Sequence, residues 1–238
     1  MKKYKICKIL LIILAIFLCV AFYELLGICV AYKKQPEVSN TTKKETKNGS
    51  WNECSENKER AVIIEKNPEA LLQRVRLIKN AKKEIILSTF AFQSDESGKL
   101  ILGALHDAAD RGVHIRLLVD GMESWIDMEG NPYFYGLSSH ENVEIKLYNK
   151  ANPLKPWKMM GRMHDKYLIA DGKRYILGGR NTYNYFLGDF PGHKNYDRDV
   201  LVVCDEPEKE NSVNQLLEYF ETIWEQEEIG RASCRERV

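Results

Sequence analysis

An alternation of strand and helix patterns between about Arg60 and Glu227 constrains the fold more than any other feature of this chain. Short runs of β-branched and aromatic residues, such as "KEIILSTFAF" and "VHIRLLVDG", alternate with stretches that carry apolar residues at helical spacing. Strands that alternate with helices through short links form a sheet covered by helices. The sequence therefore predicts a layered α/β domain, with helices at 67–81, 95–112, 131–139 and 212–226, strands at 83–92, 113–121, 143–149 and 198–205, and a hairpin at 162–179.

The amino-terminal segment is too apolar to belong to that domain. Residues 9–32 are mostly apolar and would form a helix of roughly 36 Å, enough to cross a hydrocarbon core of about 30 Å. No small-x-small cleavage site follows the run, which favours an uncleaved anchor over a signal peptide. Lysines are denser before the run than after it, which favours an amino terminus inside the cell. We therefore predict a single-pass anchor at residues 4–32 in the cell membrane, with the main domain extracytoplasmic.

Two further segments lie outside the predicted domain. Residues 33–58 are polar and poor in aliphatic side chains, which is typical of a disordered linker. Residues 228–238, "EIGRASCRERV", resemble the translation of a sequencing-library adapter, so we expect a non-native tail; a genuine basic tail is the alternative. The folded domain is therefore expected at 59–227.

The composition of the chain excludes few classes of function. The net charge of +1 gives no whole-chain argument for nucleic-acid binding, so any basic site must be local. Cys54 and Cys204 could form a disulfide outside the cell or remain two thiols, because sequence separation does not reveal distance in space. The sequence has no cluster of residues with metal-ligand spacing, and no cofactor is expected.

The segment "RMHDKYLIADGKRYILGG" contains the strongest chemical signal. Asp171-Gly172 predicts a tight turn between two strands. Because side chains alternate along a strand, His164 and Lys166 should share one face. A histidine and a cation side by side would both need partners if buried, and one anionic ligand could satisfy both.

Residues after the hairpin extend this site. Gly178-Gly179 ends the second strand and would let backbone N–H groups approach a phosphate, while Asn181 adds an uncharged donor. An imidazole nucleophile with an ammonium and a carboxamide around it suits a phosphodiester, and this set requires no metal. The sequence therefore predicts a phosphodiester-cleaving site.

The spacing His-x-Lys-x4-Asp at His164, Lys166 and Asp171, followed by Gly-Gly-x-Asn at 178–181, closely resembles the phospholipase D superfamily. The upstream "AKKEIILSTFAF" and "AADRGVHIRLLVDG" and the downstream "TYNYF" strengthen the resemblance, which covers about residues 65–227. The Gly-Gly variant is most similar to the amino-terminal half of the cardiolipin synthase-like branch. The resemblance implies a layered α-β-α half-domain.

The resemblance also implies a mechanism that needs two motifs. One histidine attacks phosphorus to form a phosphohistidine, and the histidine of a second motif protonates the leaving alcohol. Only one such motif is present in the sequence. We expect the second half either downstream, lost at the adapter-like junction, or on a partner chain of a homodimer.

Residue roles follow from the family motif. The resemblance implies that His164 is the nucleophile, that Lys166 and Asn181 bind phosphoryl oxygens, and that Gly179 supplies close backbone approach. Asp171 is a catalytic candidate whose alternative is an ordinary turn residue. Asp199 is a weaker candidate for orienting the histidine of the opposite half, and its alternative is a strand-start residue paired with a cation.

Three functions fit these observations. The first is a membrane-anchored phosphatidyltransferase or phosphodiesterase similar to cardiolipin synthase, whose partners would be the membrane and a phosphatidylglycerol-like phospholipid. The second is a metal-independent homodimeric nuclease, the only case in which nucleic acid is the partner. The third is an inactive half-site fragment.

Overall fold

The computed structural model describes residues 2–33, 40, 43–44, 59–150, 152–158, 160–206, 211–226 and 229–231. The chain divides into two compact units: Met1–Glu53 with Ala151–Arg162, and Cys54–Lys150 with Met163–Val238. Nearly all of the predicted linker 33–58, including Cys54, lies outside the described residues. The possible pairing of Cys54 with Cys204 therefore stays a prediction, while Cys204 itself is buried.

The first unit contains helix α1, Lys2–Lys33. Its stretch Tyr4–Ala31 contains an 18-residue window with a mean hydropathy of 2.9 and is long and apolar enough to cross a membrane. Near its carboxyl end Tyr23 donates a hydrogen bond to the carbonyl of Leu154 at 3.1 Å. A Cβ at Gly27 would overlap Pro156, which lies in a short 3₁₀ turn, so the helix and residues 152–158 pack closely here.

The second unit alternates strands and helices, as the sequence predicts. The strands are β1 (Glu59–Ile64), β2 (Glu84–Thr89), β3 (His114–Asp120), β4 (Val143–Tyr148), β5 (Tyr167–Ala170), β6 (Arg174–Gly178), β7 (Asp199–Cys204) and β8 (Ile229–Arg231). The helices are α2 (Asn67–Asn80), α3 (Glu96–Asp110), α4 (Gly121–Asp127), α5 (Pro132–Ser138) and α6 (Ser212–Trp224).

All eight strands form one mixed sheet in the order β1-β7-β6-β5-β2-β3-β4-β8. The pairs β2–β3 and β3–β4 are parallel, and the other pairs are antiparallel. Helical connections let β2, β3 and β4 run parallel, because a parallel pair needs a crossover. Neighbouring parallel strands end at the same sheet edge, so β2 and β3 bring their carboxyl ends together.

Helices cover the sheet on both faces. One apolar cluster joins α2, α3 and α5 to one face through residues such as Ile78, Leu105 and Phe134. The other cluster joins α6 to the opposite face through Phe220 and Trp224. The predicted α-β-α layering is therefore confirmed, and burial of these apolar side chains is the main force that holds the layers together.

Local signals explain where the helices begin and end. Pro68 lies in the first turn of α2, where a missing N–H costs nothing. Asp95 caps α3 by accepting a hydrogen bond from the amide of Gly98. Gly112, with φ of +85°, follows the carboxyl end of α3 in a conformation that favours glycine.

Four elements differ from the sequence prediction. Helix α4 occupies a region that we expected to be a loop, and β1 was not predicted. Strand β8 lies inside the segment 228–238 that resembles adapter sequence, and pairs with β4. Strand β5 begins only at Tyr167, so the hairpin is shorter than predicted. The strands depend on pairing with residues that are distant in sequence, and α4 depends on the cap from Asp120 rather than on an apolar periodicity.

Candidate active site

The expected nucleophile and its neighbouring lysine lie on one side of the chain. Residues 161–166 form no helix or strand, so His164 and Lys166 precede β5 rather than belonging to it. The His164 ring nevertheless meets the ring of Phe90 edge-on at 4.7 Å between centroids. The Lys166 ammonium lies 5.4 Å from the same ring and donates a hydrogen bond to the carbonyl of His164 at 2.7 Å. The side chains of His164 and Lys166 therefore lie on the same side of the backbone, as the alternation of side chains along an extended segment predicts.

The residues between and after them point the other way. Asp165 accepts a hydrogen bond from the hydroxyl of Tyr219 on α6 at 2.7 Å. Tyr167 is buried against Phe220 on the same helix. This alternation confirms the predicted facing of the motif and anchors its reverse side to α6.

Exposure differs sharply between the two polar groups. His164 is exposed, whereas Lys166 is 6% exposed. Burial lowers the pKa of Lys166, and the charges of Asp165 and Asp197 oppose that shift. An ammonium with few water contacts binds an anion more strongly than a solvated one.

The glycine pair at the end of β6 lies beside this segment. The amide of Gly178 donates to the carbonyl of Lys166 at 3.2 Å. A Cβ at Gly178 would overlap the Asp199 carboxylate, and one at Gly179 would overlap the Asp197 carboxylate. The pair is therefore required first by close packing against the start of β7, a reason that the sequence did not suggest.

Asn181 contacts the residue that follows Phe90. It is 6% exposed, and its Oδ1 accepts a hydrogen bond from the amide of Ala91 at 3.3 Å. Ala91 directly follows Phe90, whose ring contacts both motif side chains. Phe90 and Ala91 are thus common neighbours of the residues that the sequence singled out.

Asp199 lies at the centre of a buried ion-pair network. Its Oδ2 accepts hydrogen bonds from Arg74 at 2.9 Å and contacts Arg180 at 3.2 Å, and the Asp199 and Arg180 side chains are fully buried. The Arg180 guanidinium also donates to Asn67 and to the carbonyls of residues 64 and 65. The Oδ1 of Asp199 is buried and has no hydrogen-bond partner among the described residues. Pairing with cations fits the structural alternative for Asp199, and the unpaired oxygen packs against Gly178.

Asp171 makes the contacts expected of an ordinary turn residue, and its catalytic role stays a prediction. Asp171 lies at the far end of β5 from His164, with φ of +55°. Its carboxylate accepts hydrogen bonds from the amides of Lys82, Lys83 and Glu84 at 2.8–3.1 Å. The residue therefore fixes the turn and the start of β2, and three residues rather than two separate β5 from β6.

Sequence reasoning missed three residues around the site: Phe90, Asp120 and Asp197. Phe90 and Asp120 lie at the carboxyl ends of β2 and β3, so the rule that parallel strands end at one edge could have found them. Asp197 left only a weak signal, its place just before a predicted strand.

The arrangement suits nucleophilic chemistry on a phosphodiester. An exposed imidazole can reach a phosphorus atom, while a buried ammonium and a carboxamide can hold its oxygens. Within the ranges described, no group of three or more His, Cys, Asp or Glu side chains could hold a metal ion.

Comparison with known proteins agrees with this geometry. Residues 74–224 match the family described as "Cardiolipin synthase, PLD-like domain". The chain belongs to this family. It is 29% identical to cardiolipin synthase C of Escherichia coli K12 over 171 residues, which is 66% of this chain and 34% of that protein. It is 34% identical to cardiolipin synthase 1 of Staphylococcus aureus MRSA252 over 117 residues, 49% of this chain and 23% of that protein. The chain thus spans about a third or less of these relatives.

Solved structures share the fold. Nuc from Salmonella typhimurium, a phospholipase D family member, aligns with a TM-score of 0.55 and 19% identity over 74% of this chain and 99% of that chain. NucT from Helicobacter pylori gives 0.55 and 17% identity, over 71% and 97% of the two chains. Phosphatidylserine synthase from Haemophilus influenzae gives 0.56 and 17% identity, over 77% and 41%. The chain therefore has a phospholipase D-like fold.

Proposed function

We propose that this protein is a membrane-anchored phospholipid phosphatidyltransferase or phosphodiesterase that acts through a phosphohistidine. The observation that carries the proposal is the shared position of His164 and Lys166 against Phe90, in a chain that belongs to the cardiolipin synthase family. Asn181 and the Gly178-Gly179 pair lie beside them. The helix α1 supports a lipid substrate over a soluble one.

The reaction proceeds in two steps. A ring nitrogen of His164 forms a bond to the phosphorus of a phosphatidylglycerol-like lipid, the bond to the leaving glycerol oxygen breaks, and glycerol takes a proton from the second-half histidine. An acceptor alcohol then gives that proton back as its oxygen bonds to phosphorus and the phosphorus–nitrogen bond breaks. A second phosphatidylglycerol as acceptor forms cardiolipin, and water gives hydrolysis. Lys166 and Asn181 hold the negative oxygens in both steps.

The second histidine must come from another half-domain, on a further part of the protein or on a second copy of this chain. Asp199 lies at the start of β7 next to the glycine pair, where the ion pairs with Arg74 and Arg180 fix its carboxylate. A carboxylate oxygen of this kind can accept the ring N–H of an incoming histidine and fix its tautomer. We propose that role for Asp199 in addition to its ion pairs.

The same proposal includes the organisation of the chain. Residues 4–32 are the single membrane span, 33–58 the linker and 59–227 the catalytic half-domain on the outer side of the cell membrane. In this proposal residues 228–238 are a non-native tail. Ile229–Arg231 then pair with β4 because the edge strand of the sheet has unpaired backbone groups, and not because they form a native strand.

Lipid analysis of cells that express the encoding gene tests the proposal. Expression should enlarge the cardiolipin pool, and His164→Asn should abolish the increase, since removing a nucleophile typically lowers the rate by about 10³-fold or more. His106→Asn is the matched control, because His106 is an exposed histidine on α3 that contacts Asp110 and the ring of His140 rather than the candidate site. A cardiolipin pool of equal size in cells that express the wild-type and the His164→Asn genes would contradict the proposal.

A homodimeric nuclease is the second candidate, and one observation favours it. A fold unit of this size accounts for 99% of Nuc, so a half-domain can be a whole chain. Metal-independent release of acid-soluble nucleotides from DNA, lost in His164→Asn and accompanied by a dimeric mass, would replace the lipid proposal with this one.

A further inference from the structure

One buried carboxylate connects three parts of the chain next to His164. Asp120 is the last residue of β3 and is 1% exposed. Its Oδ1 accepts hydrogen bonds from the amides of Met122 and Glu123 at 3.1 and 3.2 Å, and so caps α4. Its Oδ2 accepts from the amide of Met163 at 3.0 Å. Asp120 thus ties the end of a central strand to the residue that precedes the nucleophile.

The segment that carries His164 needs such a tie. Residues 161–166 have no strand ladder to hold them, because β5 begins at Tyr167. On the carboxyl side, the carbonyl of Lys166 accepts from the amide of Gly178 at 3.2 Å. On the amino side, the bond from Met163 to Asp120 takes the place of a ladder bond.

We propose that Asp120 is a positioning residue for His164 in the reaction. It acts through the backbone of Met163 and does not touch the substrate. This inference rests on the proposed function, in which His164 is the nucleophile. A nucleophile displaced by about 1 Å loses roughly 10²-fold in rate, so a single backbone hydrogen bond at this place has catalytic consequences.

The carboxylate is needed because both of its oxygens accept. An asparagine has one acceptor oxygen, and its NH₂ group would face an N–H donor on the other side. Asp120→Asn therefore keeps the shape of the side chain but gives up either the α4 cap or the bond to Met163.

Asp95 provides a matched control. It also caps a helix, accepting from the amide of Gly98 at 3.0 Å, and its second oxygen accepts from a loop amide, that of Asn184, at 2.6 Å. That loop does not contain His164. Asp95→Asn loses the same kind of interaction without affecting the nucleophile's segment.

Amide hydrogen exchange of the full chain in detergent micelles is the first measurement. In Asp120→Asn, the amide of Met163 should exchange at least about 10-fold faster, because its hydrogen bond to Asp120 is lost. In Asp95→Asn, the amide of Met163 should exchange at the wild-type rate. Unchanged exchange in Asp120→Asn, or equal acceleration in both variants, would overturn the proposal.

Rapid-quench kinetics with ³²P-labelled phosphatidylglycerol vesicles is the second measurement. Asp120→Asn should lower the rate constant of phosphohistidine formation about 10–100-fold, with the wild-type amplitude and KM. A reduced amplitude at an unchanged rate constant means that the variant merely contains less folded protein, and it would overturn the positioning role.

The two measurements separate this inference from the function on which it rests. If the wild-type protein forms no phosphohistidine, the proposed function fails, and the exchange data alone then decide whether Asp120 holds the His164 segment. If the exchange changes as expected and the rate constant does not, the segment is held by Asp120 but catalysis does not depend on it, which rejects the proposal.

Discussion

At the scale of single residues, the ring of Phe90 organises the candidate site. It meets the imidazole of His164 edge-on and lies below the ammonium of Lys166. An aromatic face attracts a cation and occupies space that water would otherwise fill. The ring therefore keeps the lysine desolvated while leaving the histidine exposed to a substrate.

The altered acidity of Lys166 leads to a pH prediction. Burial lowers its pKa below the usual 10.5, so it loses its proton, and with it the phosphate-binding charge, at a lower pH than a solvated lysine. Activity should therefore fall on the alkaline side with a midpoint below pH 10.5. In Lys166→Arg the remaining activity should lack that fall, because a guanidinium stays protonated.

The matched control for this profile is Lys99→Arg, a lysine on α3 whose ammonium lies over Tyr133. It should leave the alkaline fall in place. Identical profiles for the wild-type protein and Lys166→Arg would show that another group titrates.

At the scale of elements, the approach of β6 to the start of β7 determines the shape of the site. Gly178 and Gly179 pack directly on the carboxylates of Asp199 and Asp197, with no space for a Cβ. At the opposite end of the hairpin, Asp171 binds the amides that precede β2. The Asp171 carboxylate thus fixes the turn end of the hairpin, and the candidate site residues lie at its other end.

Substitution of the first glycine tests this packing. Gly178→Ala should lower the free energy of unfolding by about 1–3 kcal/mol, since the Cβ would overlap backbone and carboxylate atoms at the start of β7. Gly103→Ala on the exposed side of α3, where a Cβ would meet nothing within 4 Å, should raise it by about 0.5–1 kcal/mol. Urea unfolding of both variants gives the comparison, and equal effects would contradict it.

At the scale of the whole molecule, the sheet with helices on both faces carries the candidate site at one edge. Its central parallel strands bring Phe90 and Asp120 to one edge, where the His164 segment crosses. The apolar helix α1 belongs to a separate compact unit. A phospholipid substrate would explain why one chain combines these two parts.

The membrane span is itself testable. The chain should stay in the membrane pellet after alkaline carbonate extraction. Phe17→Arg combined with Leu18→Arg should move it to the supernatant, because an arginine at the centre of a span costs about 2.5–3.5 kcal/mol. Lys5→Arg with Lys8→Arg, at the end of the same helix, should have no effect. Full extraction of the unmodified chain would rule out the span.

The sequence by itself determined the element types, the motif and the apolar helix. Periodicity, capping residues and the Asp171-Gly172 turn act over a few neighbouring residues, so they can be read without coordinates. The α/β class, most helix and strand positions and the common side of His164 and Lys166 followed from them. Helix α4 is one of the exceptions, because it begins with a cap from Asp120 but has no apolar stripe, and its buried residues are Gly121 and Ser124.

Tertiary structure decided which polar groups meet. The sheet order places β7 beside β6, so Asp197 and Asp199 pack on the glycine pair, and Arg74 from α2 reaches Asp199 across 125 residues of sequence. The tertiary structure also places Asp171 at the amides before β2, away from His164, and brings the carboxylate of Asp120 to the amide of Met163. Such contacts join strands and helices that are distant along the chain, and their pairing depends on burial of the whole sheet rather than on any local pattern.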